Sequence, residues 1–442
     1  MIDESIEVFK SEAQAIPATT TMVALSTMIG TTIEWYDFFI FGTASALIFG
    51  HTFFSGFDPT VATILSLSTF AAGLFARPLG AIFFGHFGDR IGRKKMLIAS
   101  LLLMGVPTTL IGMLPTYSQI GVIAPIALTL IRVCQGIALG GEWGGAVLMA
   151  VEHAPEKRSG FFGSLPQTGC PAALVLSSGA FALTGLLGPD DFQAWGWRLP
   201  FLASGVLIVI GFFIRRRVNE SPVFERVENS GELVNIPVVE IVRKHLWSVT
   251  VGVGAKLGEI TMFWLFAVFV LSYSTTKLGL PRTVILQATT LGAIAMLLFM
   301  PISGLLSDRF GNRKVFVTGT ILLLLSAVPM FTLIDSGNAT LVTVAIAFAL
   351  GILYPIMYAP EASLFAELFP PEVRYTGLSL CANIGGAIGG GIAPLVATGL
   401  VSRYGGTLPV GFYLAAISGL SLVSVLAMKP AAWAPASSAR RK

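Results

Sequence analysis

The sequence predicts an all-α membrane protein with about twelve transmembrane helices in two six-helix bundles. Hydrophobic residues make up 54% of its 442 residues and charged residues only 12%, whereas about a quarter of the residues in a soluble protein are charged. The hydrophobic residues form repeated runs of about 20 to 30 residues, long enough for helices that cross a bilayer. These runs lack the alternating pattern of barrel strands. An internal repeat predicts two similar halves.

Twelve apolar runs predict the spanning helices. They cover residues 22–50, 60–84, 96–115, 121–153, 159–187, 198–214, 246–275, 282–306, 315–334, 339–368, 375–402 and 409–428. Lysines and arginines concentrate in the connections after even-numbered helices, and most other connections carry none, with Lys277, Arg282 and Arg403 as exceptions. Because short loops rich in these residues stay in the cytosol, we expect both termini to be cytosolic. The first twenty residues lack the features of a cleaved signal peptide and are expected to form a cytosolic tail.

Two motifs on cytosolic connections occur twice. Residues 85–95 return as 304–314, and residues 155–158 return as 371–374 with nearly the same offset. The shared spacing predicts an internal duplication, and since each copy holds six helices, both copies have the same orientation in the membrane. The predicted units are an N-terminal bundle at 18–217, a cytosolic connector at 218–245 and a C-terminal bundle at 246–430.

The first repeated motif predicts a gating loop. Its glycine permits close approach between helices, and its aspartate can lie near the positive N-terminus of another helix. Its cations can pair with that aspartate or contact lipid headgroups. The residues expected to act in gating are Gly85, Asp89, Arg90, Arg93, Asp308 and Arg309. In the second copy, where Asn312 replaces the arginine, cations that only set the topology remain an alternative.

Several motifs spread over the whole chain carry a resemblance to a known family. They are Glu34-Trp-Tyr-Asp37-Phe-Phe, Arg77-Pro-Leu-Gly80, Arg132-Val-Cys-Gln-Gly136, Gly140-Gly-Glu142-Trp-Gly-Gly145, Trp195-Gly-Trp-Arg198 and Lys256-Leu-Gly-Glu259. Together they resemble the metabolite:proton symporter family of the major facilitator superfamily, and the last motif is similar to its shikimate permease type. The resemblance implies proton-driven uptake of a small polar metabolite through a cavity lined by the first, fourth and seventh helices. The short tail after Met428 lacks the heptad extension of the osmosensing betaine and proline members, which argues against osmoregulation.

Acidic residues lie inside the predicted spans. An ionised carboxylate at the centre of a bilayer costs roughly 2.5 to 3.5 kcal/mol, so Glu34 and Asp37 need a partner, a wet cavity or a proton. They are three residues apart and share a helix face. We expect them to be the proton-coupling pair, because buried acids outnumber buried cations and one acid should carry a proton. For Glu142, a structural role is the alternative to a role in proton coupling. Glu361 could instead extend toward the headgroups.

Polar and aromatic residues at similar depth are candidates for substrate binding. Arg132 cannot lose its proton and must face an anion, either a substrate carboxylate or, as the alternative, a permanent partner on the first helix. Lys256 and Glu259 could instead neutralise each other. The candidate set is Arg132, Gln135, Lys256, Glu259, Tyr36, Trp143, Trp264, Tyr354 and Tyr358. For the aromatic members, core packing or contact with lipid is the alternative.

These patterns predict a proton-coupled importer of a small organic acid, such as shikimate or a di- or tricarboxylate, that works by alternating access. An exporter or proton antiporter of the same fold and a membrane sensor remain alternatives. No catalytic or nucleotide-binding motif supports an enzyme, and Cys134, Cys170 and Cys381 lack metal-site spacing. We expect no cofactor, metal or nucleic acid. The expected partners are the substrate, protons and the bilayer, for a monomer in a bacterial inner membrane.

Overall fold

The computed structural model describes residues 18–429, and every regular element among them is a helix. Twelve long helices run through this part of the chain. They are α1 Ala18–Leu47, α2 Pro59–Ile91, α3 Arg93–Met113, α4 Ile123–Glu152, α5 Ser159–Gly185, α6 Leu199–Arg216, α7 Leu246–Thr276, α8 Arg282–Phe310, α9 Asn312–Asp335, α10 Ala339–Ala366, α11 Pro371–Tyr404 and α12 Leu408–Ala427. Of the first twenty residues, which were expected to form a tail, residues 18–20 belong to α1. Residues 1–17 and the residues after 429 lie outside the described residues.

The helix lengths agree with the predicted membrane class. Among the described residues, eleven helices, α2 to α12, are long and apolar enough to cross a membrane. Helix α1 has 30 residues, which corresponds to about 45 Å at the rise of an α-helix. The predicted architecture of about twelve spanning helices in two six-helix bundles is therefore confirmed.

Shorter helices lie between the long ones. Phe49–Phe53 follows α1, Tyr117–Ile120 precedes α4, and Pro189–Ala194 precedes α6. The connector before α7 contains two more, Pro222–Ser230 and Pro237–Lys244. Both connector helices pack against the N-terminal part of α11, so the connector lies against one end of the C-terminal bundle.

The predicted loop at residues 85–95 is wrong in one respect. Helix α2 continues to Ile91, and a single residue, Gly92, separates it from α3. Gly311 separates α8 from α9 in the same way, and the two glycines have φ angles of 107° and 97°, which other residues rarely adopt. The helices extend beyond the predicted end because their polar side chains bind the opposite half of the protein instead of water.

Four spanning helices are interrupted. Helix α5 breaks between Gln167 and Gly169, and wider π-type turns occur at Leu265–Phe269 in α7, Ala349–Leu353 in α10 and Gly386–Gly390 in α11. Such turns rotate the following side chains relative to a regular helix and often occur at functional sites. These interruptions lie beside the buried charges described below.

Glycines bring α2 and α4 into backbone contact. A Cβ atom at Gly136 would lie 2.1 Å from the carbonyl oxygen of Gly73, and one at Gly140 would lie 2.0 Å from that of Arg77. Close packing of this kind is what small residues permit in membrane helices. It fixes the height of the polar side chains of α2 and α4 relative to each other.

Candidate functional site

A buried cluster of three charged side chains lies on α7 and α10. The Nζ atom of Lys256 donates hydrogen bonds to both carboxylate oxygens of Glu361 at 2.9 and 3.0 Å and also forms an ion pair with Glu259. Glu259 and Glu361 are fully buried. The alternative in which Glu361 extends toward the headgroups is therefore wrong, because the side chain has an ammonium partner at its own depth.

This cluster is not neutral when every group is ionised. It contains two carboxylates, Glu259 and Glu361, and one ammonium, Lys256. An uncompensated charge in a dry interior is costly. A single proton shared between the two carboxylates would balance the cluster, as in other tightly coupled pairs of acids.

Aromatic rings surround the cluster. The ammonium of Lys256 lies over the rings of Trp143 and Tyr358, 5.4 and 4.8 Å from their centroids. Tyr354 packs on Tyr358 at 4.8 Å and on Phe263 at 4.9 Å. Because Trp143 is on α4 and the others are on α7 and α10, the rings join the two bundles.

The remaining predicted aromatic residues lie in two different places. Trp264 contacts Phe38 of α1 across the bundle interface, with ring centroids 6.1 Å apart. The hydroxyl of Tyr36 instead donates to the carbonyl of Pro200 at 3.1 Å, within the N-terminal bundle. On α1 it is Trp35 and Phe38 that reach α7.

The structure separates Glu34 and Asp37, although they are neighbours on α1. Asp37 accepts hydrogen bonds from the hydroxyls of Ser204 at 2.6 Å and Thr108 at 2.8 Å, both in the N-terminal bundle. Glu34 lies near the charged groups of Arg77, Arg215 and Glu142, and its Oε2 atom has no hydrogen-bond partner among the described residues. The two acids therefore share a helix side but not an environment.

Arg132 is enclosed by phenyl rings. Its guanidinium carbon lies 4.2, 4.9 and 5.2 Å from the ring centroids of Phe41, Phe70 and Phe38. Its Nη1 atom donates to Gln135 at 3.3 Å. Its buried Nε and Nη2 atoms have no hydrogen-bond partner in residues 18–429. No ion pair joins it to α1 within that range, so two donors remain available for an anionic ligand.

A hydrogen-bond chain connects Arg132 with Asp37. Gln135 accepts from Arg132 and donates through Nε2 to the hydroxyl of Thr108 at 2.6 Å. Thr108 in turn donates to Asp37 at 2.8 Å. Ionisation of the acid can therefore influence the orientation of the arginine through two neutral side chains.

Glu142 has a partner that lies just beyond the predicted sixth helix at 198–214. This partner is Arg215, which is buried and forms an ion pair with Glu142. It also donates to the carbonyl of Leu97. A Cβ at Gly30 would overlap the guanidinium, so this glycine leaves the space it needs. The contacts agree with the structural alternative for Glu142.

Three polar residues at the bundle interface were not predicted as site residues. Arg77 donates through Nε to Asn383 at 3.2 Å, and Asn383 donates to the carbonyl of Gly140 at 2.8 Å. Gln167 donates to the carbonyl of Tyr358. All three fall inside apolar runs. The argument applied to Arg132 extends to Arg77, and the cost of burying an unpaired amide would have identified Asn383 and Gln167.

The repeated motif joins the two bundles through two helix N-termini. Asp89 accepts from the backbone amides of Tyr375 and Thr376 at 3.1 and 2.9 Å and from the hydroxyl of Thr376 at 2.8 Å. Asp308 accepts from the amides of Gly160 and Phe161 at 2.7 and 3.0 Å. Each aspartate satisfies amides that lack partners at a helix start. Both contacts cross from one bundle to the other.

The basic residues of the motif divide into two kinds. Arg93 is buried and lies 3.4 Å from Asp89 and 3.6 Å from Glu152, whereas Arg90 and Arg309 are exposed. In the second copy, Asn312 donates instead to Glu367 at 2.9 Å. Burial raises the pKa of Glu367 above its usual range, against the opposing effect of Asn312.

The connection between α5 and α6 gives its two tryptophans different surroundings. Trp195 is 45% exposed, whereas Trp197 is fully buried against Phe49 and Phe53. Arg198 donates to the carbonyls of Gly112 and Leu114 at 2.9 and 2.8 Å. It therefore caps the end of α3.

Two six-helix bundles with buried charges at their interface define a multi-pass membrane transporter. Comparisons with known proteins agree with this class. The profile of the sugar (and other) transporter family matches residues 23–233, and that of the Major Facilitator Superfamily matches residues 256–442. The chain belongs to the major facilitator superfamily, as its motifs predicted, and it is a transporter and not an enzyme.

Relatives of established name cover nearly the whole chain. The inner membrane metabolite transport protein YhjE of Escherichia coli K12 is 43% identical over 410 residues, 91% of this chain and 93% of the relative. The shikimate transporter of the same organism is 36% identical, covering 92% and 94%. The proline/betaine transporter of Salmonella typhimurium LT2 is 33% identical, covering 92% and 83%.

Solved structures show the same fold. The proton:xylose symporter XylE bound to 6-bromo-6-deoxy-D-glucose aligns with a TM-score of 0.74 at 14% identity, covering 93% of this chain and 95% of that one. The E. coli fucose:proton symporter FucP aligns with a TM-score of 0.68 at 14% identity, covering 93% and 99%.

Proposed function

We propose that this protein is a proton-coupled symporter that imports a small organic acid by alternating access. The observation that carries the proposal is the imbalance of buried charge. Glu259 and Glu361 share the single cation Lys256, and Asp37 accepts hydrogen bonds from the hydroxyls of Ser204 and Thr108. Buried acids without enough cations take up protons, and a proton taken up with the substrate couples transport to the gradient.

Asp37 and Glu34 are the proposed coupling pair. Both are buried, and the hydroxyl partners of Asp37 can bind either its ionised or its protonated form, because a hydroxyl both donates and accepts. The chain through Thr108 and Gln135 would report the protonation of Asp37 to Arg132.

The substrate is proposed to bind between the bundles. Arg132 offers two unpartnered donors in the fork geometry that fits a carboxylate, and Gln135 orients it. On the opposite side, Lys256 with Glu259 and the rings of α4, α7 and α10 would contact the rest of the molecule. The proposed ligand set is Arg132, Gln135, Lys256, Glu259, Trp143, Trp264, Tyr354 and Tyr358, whereas Tyr36 would act by supporting α1.

The transport cycle is proposed to be a rocking of the bundle at 18–217 against the bundle at 246–430. On the cytosolic side, Asp89 and Asp308 would leave the helix starts of α11 and α5 when the interface opens. Both termini and the connector at 218–245 would lie in the cytosol of a bacterium, consistent with the distribution of lysine and arginine.

Uptake measurements test this proposal. Purified protein in liposomes should accumulate a labelled organic acid, with shikimate as the first compound of a panel, only when the outside is more acidic than the inside. The acid and zwitterion members of the panel identify the substrate class. Accumulation driven by the opposite gradient would show an antiporter and would overturn the proposal.

A further inference from the structure

The ammonium of Lys256 is enclosed by groups that attract a cation. We define the ammonium cage as the carboxylates of Glu259 and Glu361 with the rings of Trp143 and Tyr358, all of which lie around the Nζ atom. Aromatic faces are the groups with which proteins recognise free and quaternary ammonium ligands, and carboxylates add charge attraction. The cage would therefore bind an ammonium group whether or not it belongs to the protein.

Unsatisfied polar atoms lie beside the cage. The indole N–H of Trp143 is buried and has no hydrogen-bond partner among the described residues. The side-chain oxygen of Gln167 is also buried and also lacks a hydrogen-bond partner there. The amide nitrogen of Gln167 bonds to the backbone carbonyl of Tyr358, the residue whose ring forms one wall of the cage. Buried polar atoms are normally paired, so a polar solute would satisfy both groups.

The aliphatic part of the Lys256 side chain packs closely against Gly385 of α11. A Cβ atom at Gly385 of α11 would lie 2.6 Å from both Cβ and Cγ of Lys256. The glycine thus leaves room for the stem, and the side chain extends from α7 to Glu361 on α10. The cage is filled by a cation that the chain itself supplies.

We propose that Lys256 is a specificity-determining residue, a tethered cation that fills the ammonium cage and excludes substrates with an ammonium group of their own. This inference rests on the proposed function, since it takes the central cluster as part of the substrate site. The exclusion is by occupancy, because the Nζ atom already holds the place between the two carboxylates and the two rings. A betaine or an amino-acid zwitterion would find this place filled, whereas an acid without an amine does not need it.

Equilibrium binding to the purified full-length protein tests the inference. The Lys256→Ala variant should bind labelled glycine betaine and choline, because Glu259 and Glu361 then lack a cation and the cage is open. Its affinity for both probes should exceed that of the wild type by about tenfold or more. Lys256→Arg keeps a cation in place and should show no gain. Adding Glu361→Gln to Lys256→Ala removes one carboxylate and should reverse the gain.

Two results would overturn the inference. One is a monodisperse Lys256→Ala protein that binds neither probe, and the other is wild-type protein that binds glycine betaine as tightly as the variant. If the alanine variant does not fold, Lys256→Met keeps the packing against Gly385 and is measured in the same way. Equilibrium binding needs no proton gradient. A failure of proton-driven uptake would therefore overturn the proposed function without changing the betaine and choline binding measured for the Lys256 variants.

Discussion

At the scale of single residues, the proposed substrate site depends on two buried cations. Arg132 has two donors without a hydrogen-bond partner among the described residues, whereas Lys256 has two carboxylate partners. The sequence placed Arg132, Lys256 and Glu259 near mid-membrane because hydropathy fixes the height of a residue in its helix. It did not predict that Lys256 bonds Glu361, at 2.9 Å on another helix. Nor did it predict that Asp37 faces hydroxyls of α3 and α6. Such pairings depend on the rotation of each helix, which composition does not fix.

Arg132→Lys should weaken the binding of carboxylate substrates. The change removes the planar fork and the two unpartnered donors, and charge-assisted hydrogen bonds of this kind contribute about 1.5 to 3 kcal/mol each. We expect the apparent KM for uptake to rise by at least about tenfold. Arg198→Lys is the matched control, because Arg198 bonds only backbone carbonyls in the described residues. An unchanged KM in the Arg132 variant would exclude it as a substrate ligand.

Glu367→Gln should stabilise the protein more at high pH than at low pH. Burial raises the pKa of Glu367, so the folded protein binds this proton more tightly than the unfolded chain does. The ionised form therefore costs stability as the pH rises through the raised pKa. Thermal unfolding in detergent, measured from a pH near the ordinary pKa of glutamate, about 4.3, up to about pH 8, gives the difference in Tm between the variant and the wild type at each pH. The exposed Glu228, changed to Gln, should show none. A Tm difference that is the same at every pH contradicts the assignment.

At the scale of elements, the cytosolic contacts repeat the same geometry in both halves. Asp89 binds the start of α11 and Asp308 binds the start of α5. The sequence repeat predicted this relation, and in the structure each aspartate lies at a helix N-terminus. The extension of α2 to Ile91 was not predicted, because a polar segment that contacts protein has the same composition as one that contacts water.

Asp89→Asn should open the cytosolic side of the interface more often. The asparagine side chain lacks the negative charge with which Asp89 attracts the backbone N–H groups of Tyr375 and Thr376. Cys170 lies on α5 near Glu34 and Glu259, so its labelling by a maleimide applied from the cytosolic side reports opening, in a background where Cys134 and Cys381 are serine. We expect several-fold faster labelling.

Asp335→Asn is the matched control for this experiment. Asp335 accepts from the hydroxyl of Tyr273 and the amide of Thr407, so it also satisfies a helix start, but within the C-terminal bundle. In the Asp335→Asn variant, Cys170 should be labelled at the same rate as in the parent protein. Equal rates for all three proteins would mean that Asp89 does not hold the gate.

At the scale of the whole molecule, twelve helices were predictable because the bilayer imposes length and hydrophobicity on each of them. The relation between helices was not, and the interrupted helices show why. A π-type turn at Ala349–Leu353 shifts the residues that follow, among them Tyr354, Tyr358 and Glu361. A regular helix drawn from the sequence would give these side chains another direction. Extension of Glu361 toward the headgroups was an alternative because the residue lies far along the predicted helix at 339–368, whereas the structure places it in the central cluster.

Asp37→Asn should separate exchange from accumulation. The variant cannot lose a proton at this position, so it should still exchange labelled for unlabelled substrate across the membrane but should not concentrate it. Both activities are measured in the same liposomes. Equal loss of both would assign Asp37 to substrate binding or to folding.

The central claim is that protons enter together with the substrate, and external pH during uptake tests it most directly. When substrate is added to liposomes in weakly buffered medium, the wild-type protein should make the medium more alkaline as substrate enters. Uptake that proceeds with no change in external pH, or with acidification, would contradict the account.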